Sequence, residues 1–271
     1  MTSQSDKVEA FRRLHDEGCF VLPNPWDVGS AVLLQHLGFK ALATTSAGFA
    51  WSMARPDQGV ERAEVLEHLR QIASAVEVPV SADFEGGYAS DPEGVAESVE
   101  LAAATGIAGL SIEDSTRGAD EPLYPFDLAV ERVRMARRAI DESGTGIILT
   151  GRSEGFVAGR PDLDETIRRL QAYAEAGADC LYAPFVDTAE QVSAIVSAVA
   201  PKPVNLLVHK PFITLAEAQA LGVRRISVGG TLARVAQAAF MAAAEEIAEQ
   251  GTFTRFADLP NNAAVNAAFA R

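Results

Sequence analysis

The sequence predicts one α/β domain built as a closed (β/α)8 barrel of TIM type, and three observations predict it. The chain has 271 residues, the size at which such barrels run as a single unit. Eight short β-branched runs alternate with amphipathic helical segments almost without a break, which is the rhythm of βα units around a parallel sheet. No Gly-rich turn of the dinucleotide-binding kind follows the first run, as an open doubly wound sheet often carries.

The elements follow in order. The N-terminal stretch MTSQSDKVEAFRRLHDEG is polar and helical in pattern, without the apolar core of a signal peptide. Strands are expected at 19–22 (CFVL), 40–44 (KALAT), 78–82 (VPVSA), 107–112 (IAGLSI), 146–150 (GIILT), 179–183 (DCLYA), 203–208 (PVNLLV) and 224–228 (RRISV). Helices are expected between them, at 27–37, 61–76, 91–105, 127–142, 162–176, 187–199, 214–221 and 231–249. Asp91-Pro92 ahead of Glu93, and Thr214 with Glu217 three residues on, are helix start signals. Glycine ahead of several strands, as in TGIAGLSI, AGADCLY and LGVRRISV, ends the preceding helix in the left-handed conformation. Residues 1–249 thus read as the barrel. Residues 250–271, QGTFTRFADLPNNAAVNAAFAR, follow the eighth unit and end in an Ala-rich helical stretch whose apolar face needs cover, from a partner subunit or from the outside of the barrel.

Composition narrows the function. Apolar residues make up 48% and charged residues 22%, as in an ordinary globular protein. The formal net charge of −14, with no cluster of Lys or Arg, disfavours nucleic acid and anionic lipid as partners. The longest apolar stretches are too short to span a bilayer. Cys19 and Cys180 both lie in apolar runs, which suits buried thiols and a cytoplasmic location.

In such a barrel the chemistry gathers at the carboxyl ends of the strands. The first strand leads into Asn24, Trp26 and Asp27, and the second into Ser46, Ala47, Gly48 and Asp57. Asp83 and Glu85 follow the third, Glu113 and Asp114 the fourth, Arg152 and Glu154 the fifth, and Asn205, His209 and Lys210 the seventh. Residues two apart in a strand share a face, so Asp83 and Glu85 are expected to point the same way and to need a cation between them. Asp57, Asp83, Glu85 and Glu113 without His or Cys companions select Mg²⁺ or Mn²⁺. The alternative is that these acids cap helices or pair with arginine at the barrel mouth.

Ser46-Ala47-Gly48 reads as a small-residue turn able to aim backbone N–H groups at an anion. Arg152 reads as a bidentate anion ligand, or else as the partner of Glu154 or Glu113 in a salt bridge. Trp26 is a pocket wall or a core aromatic. His15, His36 and His68 fall on helices, at the surface or its boundary, while His209 reaches a strand end and is placed to touch substrate as acid or base.

These segments together resemble the isocitrate lyase/phosphoenolpyruvate mutase superfamily. LPNPWDVGSAVLL resembles its opening strand and helix, TTSAGFAWSMARPD its carboxylate loop, SADFEGGYAS its metal strand, GLSIED its next acidic strand, and AYAEAGADCLYAP its sixth unit. The resemblance implies an oligomeric barrel, usually a tetramer, with an exchanged C-terminal helix. It implies that Ser46, Ala47 and Gly48 hold the substrate carboxylate and that Asp57, Asp83, Glu85 and Glu113 surround Mg²⁺ directly or through water. Arg152 then matches the anion-binding arginine and Asn205 an asparagine of the lyases.

Three departures accompany the match. The segment after the fourth strand, EDSTRGADEPLYP, lacks the Cys, His and Lys of the lyases, and it also lacks the Lys and Asn of the phosphonomutases. Pro184 stands where the sixth strand usually delivers an acid or a histidine. The expected activity is Mg-dependent cleavage of a C–C bond in a small 2-oxo or 2-hydroxy carboxylate through an enolate. The alternatives are P–C bond chemistry of the carboxyvinyl-carboxyphosphonate phosphorylmutase kind, with Arg152, Arg117 and Lys210 as the available cations, and a carboxylate-binding homologue without turnover.

Overall fold

The computed structural model describes residues 2–118 and 120–270. Eight parallel strands form one sheet in the order β1-β8-β7-β6-β5-β4-β3-β2. They are β1 Phe20–Leu22, β2 Leu42–Ala43, β3 Val80–Asp83, β4 Gly109–Glu113, β5 Ile148–Arg152, β6 Cys180–Tyr182, β7 Val204–Leu207 and β8 Arg225–Ser227. At the seam between β1 and β2 the Ala43 N–H donates to the Pro23 carbonyl at 3.1 Å. Asn24 completes the closure: its Nδ2 donates to the Thr44 carbonyl at 2.8 Å, while its Oδ1 accepts from the N–H groups of Val228 and Gly229 at 2.8 and 2.9 Å. One buried amide therefore ties the loops after β1, β2 and β8 together.

The barrel helices are α2 Val28–His36, α4 Arg62–Ala75, α5 Pro92–Ala103, α6 Phe126–Ser143, α7 Leu163–Glu175, α8 Ala189–Val199, α9 Leu215–Ala220 and α10 Thr231–Gln250, with α1 Gln4–Asp16, α3 Ser46–Ser52 and α11 Asn262–Phe269 added to them. All eight expected strands and all eight expected barrel helices are present, with no boundary displaced by more than two residues. The fifth strand starts at Ile148 rather than 146 because Gly144 and Gly146 both adopt φ of 66°, which keeps the turn before it out of the sheet. The start signals act as expected: the Asp91 and Thr214 side chains accept the Gly94 and Glu217 N–H groups.

Helix α1 seals the amino-terminal end of the barrel. Its Phe11 is fully buried and meets Phe20 and His15 edge-on, at 6.2 and 4.7 Å between ring centroids. Gly109 makes room for it, since a Cβ there would lie 2.9 Å from the Phe11 ring. His68, expected near the surface, is instead buried and stacked on Phe49 at 3.7 Å, because α4 turns that face toward α3. Burial holds its pKa down at about 4, so it packs as a neutral ring.

The C-terminal segment lies against α2 through α11 and leaves Phe240, Phe253, Phe256, Leu259 and Phe269 exposed. Cys19 and Cys180 are free thiols, the second buried and the first half-buried. No described helix is long and apolar enough to cross a membrane. Phe11→Ala should destabilise the fold by about 3–5 kcal/mol, the usual cost of emptying a large aromatic site. Chemical denaturation measures this directly, and a loss below about 1 kcal/mol would show that α1 does not seal the barrel.

Candidate active site

The carboxyl ends of β3, β4 and β5 deliver a ring of acids around one arginine. The Arg152 Nη1 lies 3.1 Å from Asp83 and 3.3 Å from Glu113, and its Nε pairs with Glu154. Both readings of Arg152 are thus met in part: it is salt-bridged to Glu154 and Glu113, and it lines the cavity at the barrel mouth. Its guanidinium also lies 5.2 Å from the Tyr182 ring centroid.

Charge does not balance here. Burial pushes the Glu113 and Glu154 carboxyls upward even though Arg152 pulls them back, and burial together with Asp83 raises Asp57. Burial alone would depress Arg152, but Glu154, Glu113, Tyr182 and Asp83 carry it well above its usual value. Four acids around a single shared guanidinium leave an excess of negative charge. That excess, with oxygen as the only donor type, fits a hard divalent cation. Among the described residues, no three His, Cys, Asp or Glu side chains are placed to hold one ion by themselves. Asp57 and Asp83 line the cavity and are the acids of the ring placed to face a cation there, while Glu113 lies behind Arg152.

Two expectations about the ring need correction. Asp83 and Glu85 do not share a face, because β3 stops at Asp83, Phe84 turns into the core and Glu85 takes φ of 49°. The buried Glu85 carboxylate accepts from the Tyr88 hydroxyl at 2.7 Å and pairs with Arg117. Ser46-Ala47-Gly48 is the first turn of α3 rather than a loop, capped by the Thr45 side chain, which accepts from the Gly48 N–H. The Ser46 N–H and hydroxyl both donate to Asp83, at 2.9 and 2.8 Å.

A cavity of about 270 Å³ opens beside this ring. Ser46, Ala47, Asp57, Asp83, Arg152, Asn205 and His209 line it, whereas Gly48, Trp26, Glu85 and Glu113 do not. Trp26 packs behind Gly48, where a Cβ would come within 2.9 Å of it, and Trp51 supplies the indole on the cavity wall. Asn205 donates to the Ser227 hydroxyl at 2.9 Å and accepts from Arg225 at 2.9 Å. Burial and the neighbouring Lys210 lower the His209 pKa, so its ring is neutral at the mouth. Lys210 itself is paired with Asp187.

Supporting contacts hold these loops. Asp114 accepts from the Glu154 N–H at 2.7 Å, from Arg169 at 3.0 Å and from the Tyr173 hydroxyl at 2.6 Å, which pins the end of β4 to the end of β5. The buried Arg132 on α6 donates to the carbonyls of Gly86, Ala89 and Ser90 and lies 4.0 Å from the Tyr124 ring centroid. It thereby clamps the loop after β3 and braces the one after β4. Strand periodicity signals Ser81 and Ser111, two residues before Asp83 and Glu113, as cavity walls; no local pattern signals Arg132 or Arg225.

The family model described as phosphoenolpyruvate phosphomutase matches residues 11–248. The 2-methylisocitrate lyase of Escherichia coli is 31% identical over 158 residues, covering 56% of this chain and 53% of its own. The oxaloacetate decarboxylase of Pseudomonas putida is 31% identical over 201 residues, covering 71% and 68%. A solved Burkholderia cenocepacia J2315 structure, whose description goes no further than lyase/mutase, aligns at a TM-score of 0.96 with 46% identity over 99% of this chain and 98% of that one.

The acid ring makes stability depend on pH. The folded chain holds the Glu113 proton more tightly than the unfolded chain, so the stabilisation that comes with that proton is complete below the ordinary Glu pKa of about 4.3 and fades as pH rises through the raised folded value. Glu113→Gln stays neutral throughout. Without divalent cations it should gain on the native chain by on the order of 1 kcal/mol between about pH 5 and about pH 8. Urea midpoints at the two pH values read the difference, and a gap that does not change with pH contradicts the buried-acid account.

Proposed function

The chain belongs to the phosphoenolpyruvate phosphomutase family, and we propose that within it the protein is a carbon–carbon lyase acting on a small 2-oxo or 2-hydroxy carboxylate with Mg²⁺ or Mn²⁺. The observation that carries this reading is the acid ring of Asp57, Asp83, Glu113 and Glu154 around Arg152, beside a cavity of a size for a small acid. The cation would supply the positive charge that an enolate oxygen needs as the neighbouring bond breaks. Ser46 and Arg152 orient Asp83, and Arg152 offers a guanidinium edge to the substrate's carboxylate. Ala47 and Asn205 complete the pocket, and His209 sits at its mouth as a neutral acid–base group. Glu85, turned toward Arg117, orders the loop after β3 and would reach a cation only through water.

Decarboxylation of an oxaloacetate-like acid and retro-aldol release of pyruvate or glyoxylate both follow from this arrangement. The relatives named for oxaloacetate decarboxylation and for 2-methylisocitrate cleavage support the same class. The P–C reading ranks lower because the loop after β4 lacks the Lys and Asn of the phosphonomutases, and its Arg117 is already paired with Glu85, as Lys210 is with Asp187. A phosphoryl group in transfer needs cations free to clamp it. The thiols of Cys19 and Cys180 suit a cytoplasmic location.

Purified protein with Mg²⁺ should convert at least one of oxaloacetate, 2-methylisocitrate or 2,3-dimethylmalate. Release of phosphate from phosphonopyruvate would favour the alternative, and binding without product would leave a carboxylate-binding homologue. Asp83→Ala should abolish turnover, and Arg152→Lys should lower kcat/KM by roughly 10²–10³-fold while both variants stay folded. Full activity in either would move the chemistry elsewhere.

We further propose that residues 1–249 form the barrel unit and 250–271 an oligomerisation segment. Its exposed Phe253, Phe256 and Phe269 would be covered by a second subunit of a dimer or tetramer with an exchanged helix. Removing 250–271 should lower the sedimentation coefficient to that of a smaller assembly, and an unchanged value contradicts the proposal.

A further inference from the structure

We propose that Arg225 is the floor of a second, anion-binding subsite inside the barrel, which holds the carboxylate of a dicarboxylate ligand that lies away from the acid ring. The proposal rests on the reading that this cavity binds a small carboxylate, and it adds where a second charge goes. Glu113, Arg152, Tyr182, Asn205 and Arg225 are successive partners across β4 to β8 and form one row around the barrel wall. Arg225 is the last of the row, three strands from Arg152. At about 4.8 Å per strand that is roughly 14 Å along the wall, so the two arginines approach the interior from different sides.

The Arg225 side chain crosses the interior as a bar. Its Nε donates to Asn205 at 2.9 Å on β7, its Nη2 to the Thr150 hydroxyl at 3.0 Å on β5, and its Nη1 lies 3.4 Å from His15 on α1. Burial and Arg225 itself drive the His15 pKa down to about 3, so that ring is neutral. All three partners are therefore uncharged, and no carboxylate among the described residues lies within salt-bridge distance of Arg225, although only 4% of the residue is exposed. A guanidinium carries five N–H donors; three contacts leave two of them free. The other buried arginines differ. Arg152 and Arg169 have acids, and Arg132, which has no acid and an unpartnered Nε among the described residues, gives three carbonyls its Nη groups and does not line the cavity.

A buried charge without a counter-ion is costly, and here it borders open space. The inward layer of a (β/α)8 barrel is ordinarily filled by bulky branched side chains. In this chain Ala43, Ser81, Ser111 and Ser227 stand there, and the cavity runs between them down to Arg225. A carboxylate on the floor would take the free N–H groups in a charge-assisted pair and supply the missing charge. The group bound there is a spectator, because a carboxylate held in an ion pair resists losing its charge as CO2. The reacting end of the ligand is then the one beside Asp83 and Arg152.

Succinate and butyrate, equal in length and different by one carboxylate, test this by calorimetric titration of the full chain with Mg²⁺. The native protein should bind succinate at least tenfold more tightly. Arg225→Met, checked for folding by near-ultraviolet circular dichroism, should lose that preference. Ser111→Leu, which fills the shaft and leaves the arginine in place, should lose it as well and decides the matter if the first variant does not fold. Equal affinities in the native chain, or a preference that survives both substitutions, overturn the subsite. Absence of turnover on every carboxylate offered, with the succinate preference intact, would instead count against the lyase reading alone.

Discussion

The site depends on one guanidinium shared by three carboxylates. Arg152 pairs with Asp83, Glu113 and Glu154, which come from the ends of three adjacent strands. Desolvating so many charges is expensive, and a single cation cannot neutralise them all. The strain shows in Glu113 and Glu154, whose carboxyls burial drives toward their protonated forms despite Arg152. Such a cluster adds little to stability. On the proposed reading it would instead serve an added cation, and the anion brought with it, with charges already arranged for them.

Holding that cluster requires rigid surroundings, and the chain supplies them with buried polar contacts rather than with apolar mass. Asp114 joins the ends of β4 and β5 through the Glu154 N–H, Arg169 and Tyr173. Arg132 gathers the carbonyls after β3, and Asn24 closes the seam where β1 and β2 lack a ladder of their own. Asp114 and Asn24 are held by three partners each, the condition under which a buried network rigidifies a site, whereas Arg132 keeps its Nε without a partner among the described residues. The same logic sets Arg225 apart, since its neutral partners leave both charge and donors unspent.

The architecture was readable in the sequence because every level agreed. Period-two runs, capped helices and glycine at helix ends all marked the same boundaries. Ser46, Ala47, Asp57, Asp83, Arg152, Asn205 and His209 were readable as cavity residues because position at a strand's carboxyl end is a strong constraint. Glu85 was misread because the two-residue rule holds only inside a strand, and β3 ends two residues earlier. Trp26 and Trp51 follow the first and second strands respectively, and only the packing of α3 against Trp26, through Gly48, decides which indole reaches the cavity. Arg132 and Arg225 act across long sequence separations on backbone or hydroxyl partners, so no local pattern could announce them.

The loop after β4 bears on the chemistry most directly. Where the resemblance to the lyases leads one to expect a Cys, a His and a Lys, the bridge between Ser115 and Leu123 joins the ends of a loop that turns Arg117 onto Glu85 and sets its charge near Tyr88. The loop thus pairs charge with the strand ends and carries no thiol, imidazole or amine to deliver a proton. An enolate formed by loss of CO2 or of an aldehyde can take its proton from water. A reaction that needs a proton placed on one face of a carbon would need a dedicated donor. In the lyase proposed above, such a loop would suit substrates whose cleavage does not depend on a proton from the protein.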